Sequence, residues 1–182
     1  MIPEPLHPAV VHFPIVLVVL LPLAAMTALL LIRRGAEARK IWVPVTVIAF
    51  ALAGSVWVAV QTGEREEEAV EEVVSESAIH EHEEAAELFL PLSLGVLMLV
   101  GAGLLKDRPG QVARIMGTTA AVLLVVVGFN VGRTGGELVY EHGAASAYAL
   151  GSERSDRESD SDREREERLE HDSRADESDD DH

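Results

Sequence analysis

Cysteine is absent from the 182-residue chain. Disulfides, thiolate-held zinc or iron–sulfur centres and thiol catalysis are therefore excluded. Aromatic residues make up only 4%, and lysine occurs twice, at Lys40 and Lys106, against thirteen arginines. The opening Met1-Ile2-Pro3-Glu4-Pro5 carries no positive charge, so the apolar run behind it does not resemble a cleaved signal peptide. That run is also too long for a signal core, and it reads as a retained membrane helix.

What the chain has is apolar length and acid, kept apart. Hydrophobic residues account for 48% of the sequence, yet the formal net charge is −16. Ser152 to His182 holds fifteen Asp or Glu against six Arg, a balance of −9. Glu64 to Glu87 holds eleven Glu against Arg65, a balance of −10. The rest is slightly basic and strongly apolar, and no nucleic-acid partner is expected.

Four runs are long enough to cross a hydrocarbon core of ~30 Å, which takes roughly 20 apolar residues in a helix. They are Ala9 to Ile32, Ile41 to Gln61, Leu88 to Leu105 and Val112 to Gly132. Only His12 and Arg114 are ionisable within them, and both stand near an end. A charge at a helix centre costs about 2.5–3.5 kcal/mol on insertion scales, so clean middles support spanning. The expected fold is all-α: a four-helix transmembrane bundle over residues 1–150, with a disordered acidic tail over 151–182. The tail's only large apolar residue is Leu169, too little to offset the ordering of its backbone.

Prolines at Pro14, Pro22, Pro44 and Pro91 fall in or beside these runs, as membrane bundles tolerate. Trp42 and Trp57 lie near the ends of the second run, where interfacial anchors belong. Gly128 and Gly132 form a Gly-x-x-x-Gly spacing suited to close approach of a second helix, hence to an oligomer. Arg33, Arg34, Arg39 and Lys40 fill one loop, and Lys106 and Arg108 fill another. The positive-inside rule puts both loops in the cytoplasm, with both termini and the acidic central segment outside. Within that segment Val70, Val73, Val74 and Ala78 recur at helical steps, predicting an outer amphipathic helix that caps the bundle and can run directly into the third span. Heavy acid with little lysine also matches a halophilic environment, because at about 1 M salt the Debye length falls to ~3 Å.

Five of the seven histidines, His7, His12, His80, His82 and His142, fall at run ends that this topology places on one face. Such a set is a candidate ligand group for haem b or, through His12, His82 and His142, for zinc or copper. A histidine near a membrane segment can equally satisfy itself on a carbonyl or water, and the site then holds no cofactor. Pro8 suits the first turn of a helix, which puts His7 just outside it and His12 inside. His80 and His82 are two apart, so at most one faces the bundle. His80-Glu81-His82-Glu83-Glu84 does not fit the zinc-protease pattern, because Glu84 and Ala86 stand where a second histidine is needed. Gly135-Gly136 reads as a turn that carries Leu138 to Tyr140 back against the bundle and returns His142 towards His12. The preferred ligand pair is His12 with His82. His142 is the alternative or supporting residue, and His7 and His80 rank lower.

His7-Pro8-Ala9-Val10-Val11-His12-Phe13-Pro14-Ile15 is one of several stretches that resemble a known family. The others are Thr62-Gly63 with Glu66 and Glu67, His82-Glu83-Glu84, and Gly132-Arg133-Thr134-Gly135-Gly136 through His142-Gly143. Over roughly residues 7 to 145 the chain is similar to the predicted membrane proteins called domain of unknown function 2231. The resemblance implies four helices and no established activity. Relatives stand beside Rieske-type or cytochrome c-type domains, which implies electron transfer with a separate redox protein. The expected role is a haem- or metal-binding, redox-associated membrane module; the alternative is an accessory subunit without a cofactor.

Overall fold

The computed structural model describes residues 6–71, 74–144 and 146. It is all helix: α1 (His7–Val10), α2 (His12–Arg33), α3 (Ala38–Glu71), α4 (Glu76–Ala102) and α5 (Asp107–Tyr140). Four stretches are long and apolar enough to cross a membrane: His7–Arg33, Ala38–Arg65, Glu76–Ala102 and Asp107–Tyr140. Short connections join successive long helices, and α2 closes against α5, so the bundle is a ring of four. The acidic tail and Val73 lie outside the described residues.

Proline and glycine set the local breaks. Pro14 has no N–H to offer the Val10 carbonyl, and its ring crowds that carbonyl, so the first turn ends at Val11 and the helix restarts at His12. α1 is thereby a separate turn that packs on α3. At the other end of α2, Gly35 takes φ +97 and the Gly35 and Ala36 amides bond the Ile32 and Leu31 carbonyls. That left-handed stop suits glycine and turns the chain into α3.

Each long helix buries one stripe at three- and four-residue steps. In α2 it is Pro14, Val18, Leu21, Ala25 and Ala28; in α4 it is Ile79, Phe89, Ser93, Val96 and Val100. Lipid-facing positions such as Phe129, Met98 and Phe50 stay bare. Lipid is as apolar as the core, so close packing at small residues holds such helices together. Gly117 shows this: a Cβ there would stand 3.1 Å from Val100 Cγ2.

Several expectations change. Trp42 is no interfacial anchor: it is fully buried, and its Nε1 donates to the Val100 carbonyl at 2.8 Å. Gly103 leaves the space for its ring. Trp57 is exposed. The central segment divides between two helices, and its second part runs directly into the third span as expected. α3 runs on to Glu71, and α4 begins at Glu76 and continues into its span. Its apolar residues Val70, Val74 and Ala78 still bury a face, against Ile79, Leu138 and Ala144. Gly135-Gly136 is not a turn either, because α5 stays helical through Tyr140. Gly128 abuts Phe89 and Val18 inside the bundle while Gly132 faces open space, so the pair does not form one outward face for a second chain.

Candidate functional site

The end of the bundle opposite the basic loops brings two histidines together from distant parts of the chain. His7 opens α1, and His82 lies two turns into α4, six residues before the apolar run that starts at Leu88. Their rings meet edge to face, with centroids 6.5 Å apart and planes at 80°.

Each ring rests on a Thr-Gly step of another helix. His7 Nδ1 is 2.9 Å from the Ala59 carbonyl and 3.3 Å from Thr62 Oγ1, both on α3. His82 Nδ1 is 2.9 Å from Thr134 Oγ1 on α5. The glycine that follows each threonine makes room for the ring. A Cβ at Gly63 would stand 3.2 Å from His7 Cε1, and one at Gly135 would stand 3.0 Å from His82 Cε1. Thr62 and Thr134 are both buried.

The hydrogen bonds assign the tautomers. A carbonyl only accepts, so His7 donates to Ala59 from Nδ1. Thr62 and Thr134 spend their hydroxyl protons on the carbonyls three residues back, Ala59 at 3.0 Å and Val131 at 3.1 Å. The Thr134 oxygen therefore accepts from His82 Nδ1–H. In the neutral form of each ring Nε2 then carries the lone pair, the nitrogen that can accept a proton or bind a metal. Backbone and hydroxyl partners of this kind fix ring orientation in metal sites.

Beside His82, Arg133 donates to Glu137 at 2.6 Å and to Glu81 at 3.5 Å, tying α5 to the start of α4.

A family described as "Predicted membrane protein (DUF2231)" matches residues 3–147. The chain belongs to this family. No curated protein and no solved structure matches it.

In this DUF2231 protein, His82 holds the inward position expected of it, but the ring beside it belongs to His7, not His12. His12 stands five positions after His7, with Val11 between the helices also in the right-handed region, and five such steps turn about 140° at 3.6 residues per turn. With His7 on the bundle side, His12 is exposed. His80 is also exposed, with only Glu83 3.9 Å away. His142 follows the end of α5 and is exposed, because α5 does not turn back. Among the described residues no three of His, Asp and Glu gather closely enough to hold a metal ion. The sequence reading gave Thr62-Gly63 and Thr134-Gly135 no part in holding the rings. The repeated Thr-Gly, each three residues after Ala59 or Val131, was the signal for them.

Proposed function

We propose that the protein is a membrane module holding a redox-active metal centre between His7 and His82, with haem iron as the group it suits best. The reading rests on the two rings, each oriented through Nδ1 and each with its lone pair on Nε2. Structural zinc asks for four ligands. Haem iron would draw four nitrogens from its porphyrin and could be held by His7 and His82 alone. A two-histidine set therefore favours haem over zinc. The closeness of the two rings, 6.5 Å between centroids, supports a shared ligand. His12 and His142, both exposed, take no part in the pair.

On the positive-inside rule the histidine end faces outward, where a separate redox protein could reach it. The haem would exchange electrons, and Thr62, Thr134 and the Ala59 carbonyl would hold the rings in place. A visible spectrum of detergent-purified full chain, supplied with haem, with and without reductant, tests this. A reductant-sensitive haem band should form and should be lost in His7→Ala and in His82→Ala, while His12→Ala keeps it. Wild-type protein that stays colourless with haem and binds neither copper nor zinc would leave the accessory-subunit reading.

A further inference from the structure

Arg114 lies in α5 at the basic end of the bundle and is 8% exposed. Its Nη2 donates to the Leu105 carbonyl at 3.2 Å, while its Nε is buried with no hydrogen-bond partner. Among the described residues no carboxylate lies within ion-pair distance of it. Lys40 pairs with Glu37, and Arg133 pairs with Glu81 and Glu137. A buried guanidinium with an unmet donor and no counter-charge is costly, and an anion that meets it recovers that cost.

The guanidinium reaches back to the start of its own helix. Nη2 stands 3.2 Å from where a Cβ on Gly110 would lie, and Gly110 is in the first turns of α5. The helix begins at Asp107 after Lys106, which makes no side-chain capping bond. The amides of Asp107 and Arg108 thus stand at the positive end of the helix dipole, while Pro109 brings no N–H. Lys106 and Arg108 stand exposed beside them. The one acid in this turn, Asp107, is exposed and makes no ion pair with Arg114.

We propose that this corner binds a phosphate group, with Arg114 as its buried anchor and Lys106 and Arg108 at the rim. Several oxygens on one tetrahedral anion suit a guanidinium edge and helix-start amides together, which a single carboxylate does less well. The corner sits just before the apolar run that starts at Val112, at the depth of lipid headgroups. The phosphate can therefore come from an anionic phospholipid or from free phosphate. The site is at the opposite end from the histidine pair and does not depend on what that pair binds.

Thermal unfolding of delipidated full-length protein in detergent tests the proposal. The arms are phosphatidylglycerol, phosphatidylcholine, and inorganic phosphate against chloride at equal ionic strength. Phosphatidylglycerol should raise Tm by several degrees more than phosphatidylcholine, and this increment should vanish in Arg114→Gln but persist in Arg33→Gln. A rise with inorganic phosphate alone would identify the free anion as a sufficient ligand. If Arg114→Gln does not fold, Arg114→Lys keeps the charge without the fork and should show a smaller increment. Wild-type protein that responds alike to both lipids and not to phosphate overturns the proposal, as does a variant at Arg114 that keeps the full increment.

Discussion

Gly135 leaves the space that the His82 ring fills, for a Cβ at this position would stand 3.0 Å from Cε1. A ring hydrogen-bonded to Thr134 cannot retreat without giving up that bond. Gly135→Ala should therefore destabilise the bundle by about 1–3 kcal/mol, the usual cost of overpacking. Gly132 meets nothing within 4 Å, so Gly132→Ala should be neutral or stabilising by up to about 1 kcal/mol through helix propensity. Thermal unfolding in detergent reads both. Equal Tm values for the two variants would show that His82 yields freely.

Thr134 contributes by its oxygen rather than its bulk. Thr134→Val keeps the shape but removes the acceptor that meets His82 Nδ1 at 2.9 Å. Loss of one partner from a buried pair costs about 1–3 kcal/mol. Thr134→Ser restores an oxygen and should recover most of the loss. A valine variant as stable as wild type would mean that the Val131 carbonyl alone satisfies the ring.

The four membrane-length helices were legible because lipid demands long uncharged runs, and those runs stand out whatever the helices touch. The site was harder to read, since it turns on which side of a helix each histidine faces. That information was nonetheless present. Pro14, Val18, Leu21, Ala25 and Ala28 form the buried stripe of α2, and seven residues back from Pro14 lies His7, not His12. Phe89, Ser93, Val96 and Val100 in α4 point back in the same way to His82 and not His80. Treating His7 as a residue before the helix hid this, because α1 already winds it into a turn. The glycine pair at Gly135 was misread for a different reason. Glycine in water marks turns, but inside a bundle it also marks where another side chain comes close.

Trp42 and Trp57 should report two environments. Trp42 is fully buried and donates to Val100 across α3 and α4, whereas Trp57 is 57% exposed on the lipid-facing surface. In bilayers with brominated acyl chains, Trp42→Phe protein (leaving Trp57) should be strongly quenched and Trp57→Phe protein weakly. Trp42→Phe also removes one of two donors to the Val100 carbonyl, which keeps the Gly103 amide at 3.0 Å, and opens a gap against Gly103; the lost hydrogen bond alone costs about 0.5–1.5 kcal/mol. Trp57→Phe, which removes no such bond, should stay within about 0.5 kcal/mol of wild type. Equal quenching of both single-tryptophan proteins would show that the bundle is looser at its basic end than its packing implies.

Orientation in the membrane is a separate prediction, made by loop charge. Arg33, Arg34, Arg39 and Lys40 flank one connection and Lys106 and Arg108 the other, and both lie at the end away from His7 and His82. A bias of this kind holds its loops in the cytoplasm during insertion. The chain has no cysteine of its own, so single introduced thiols report without background. Ser77→Cys, exposed at the start of α4, should react with an impermeant thiol reagent in intact cells. Ala36→Cys, in the connection between α2 and α3, should react only after lysis. Labelling at position 36 in intact cells with none at position 77 would invert the protein. The histidine pair would then meet cytoplasmic partners, and the phosphate corner would face the outer leaflet.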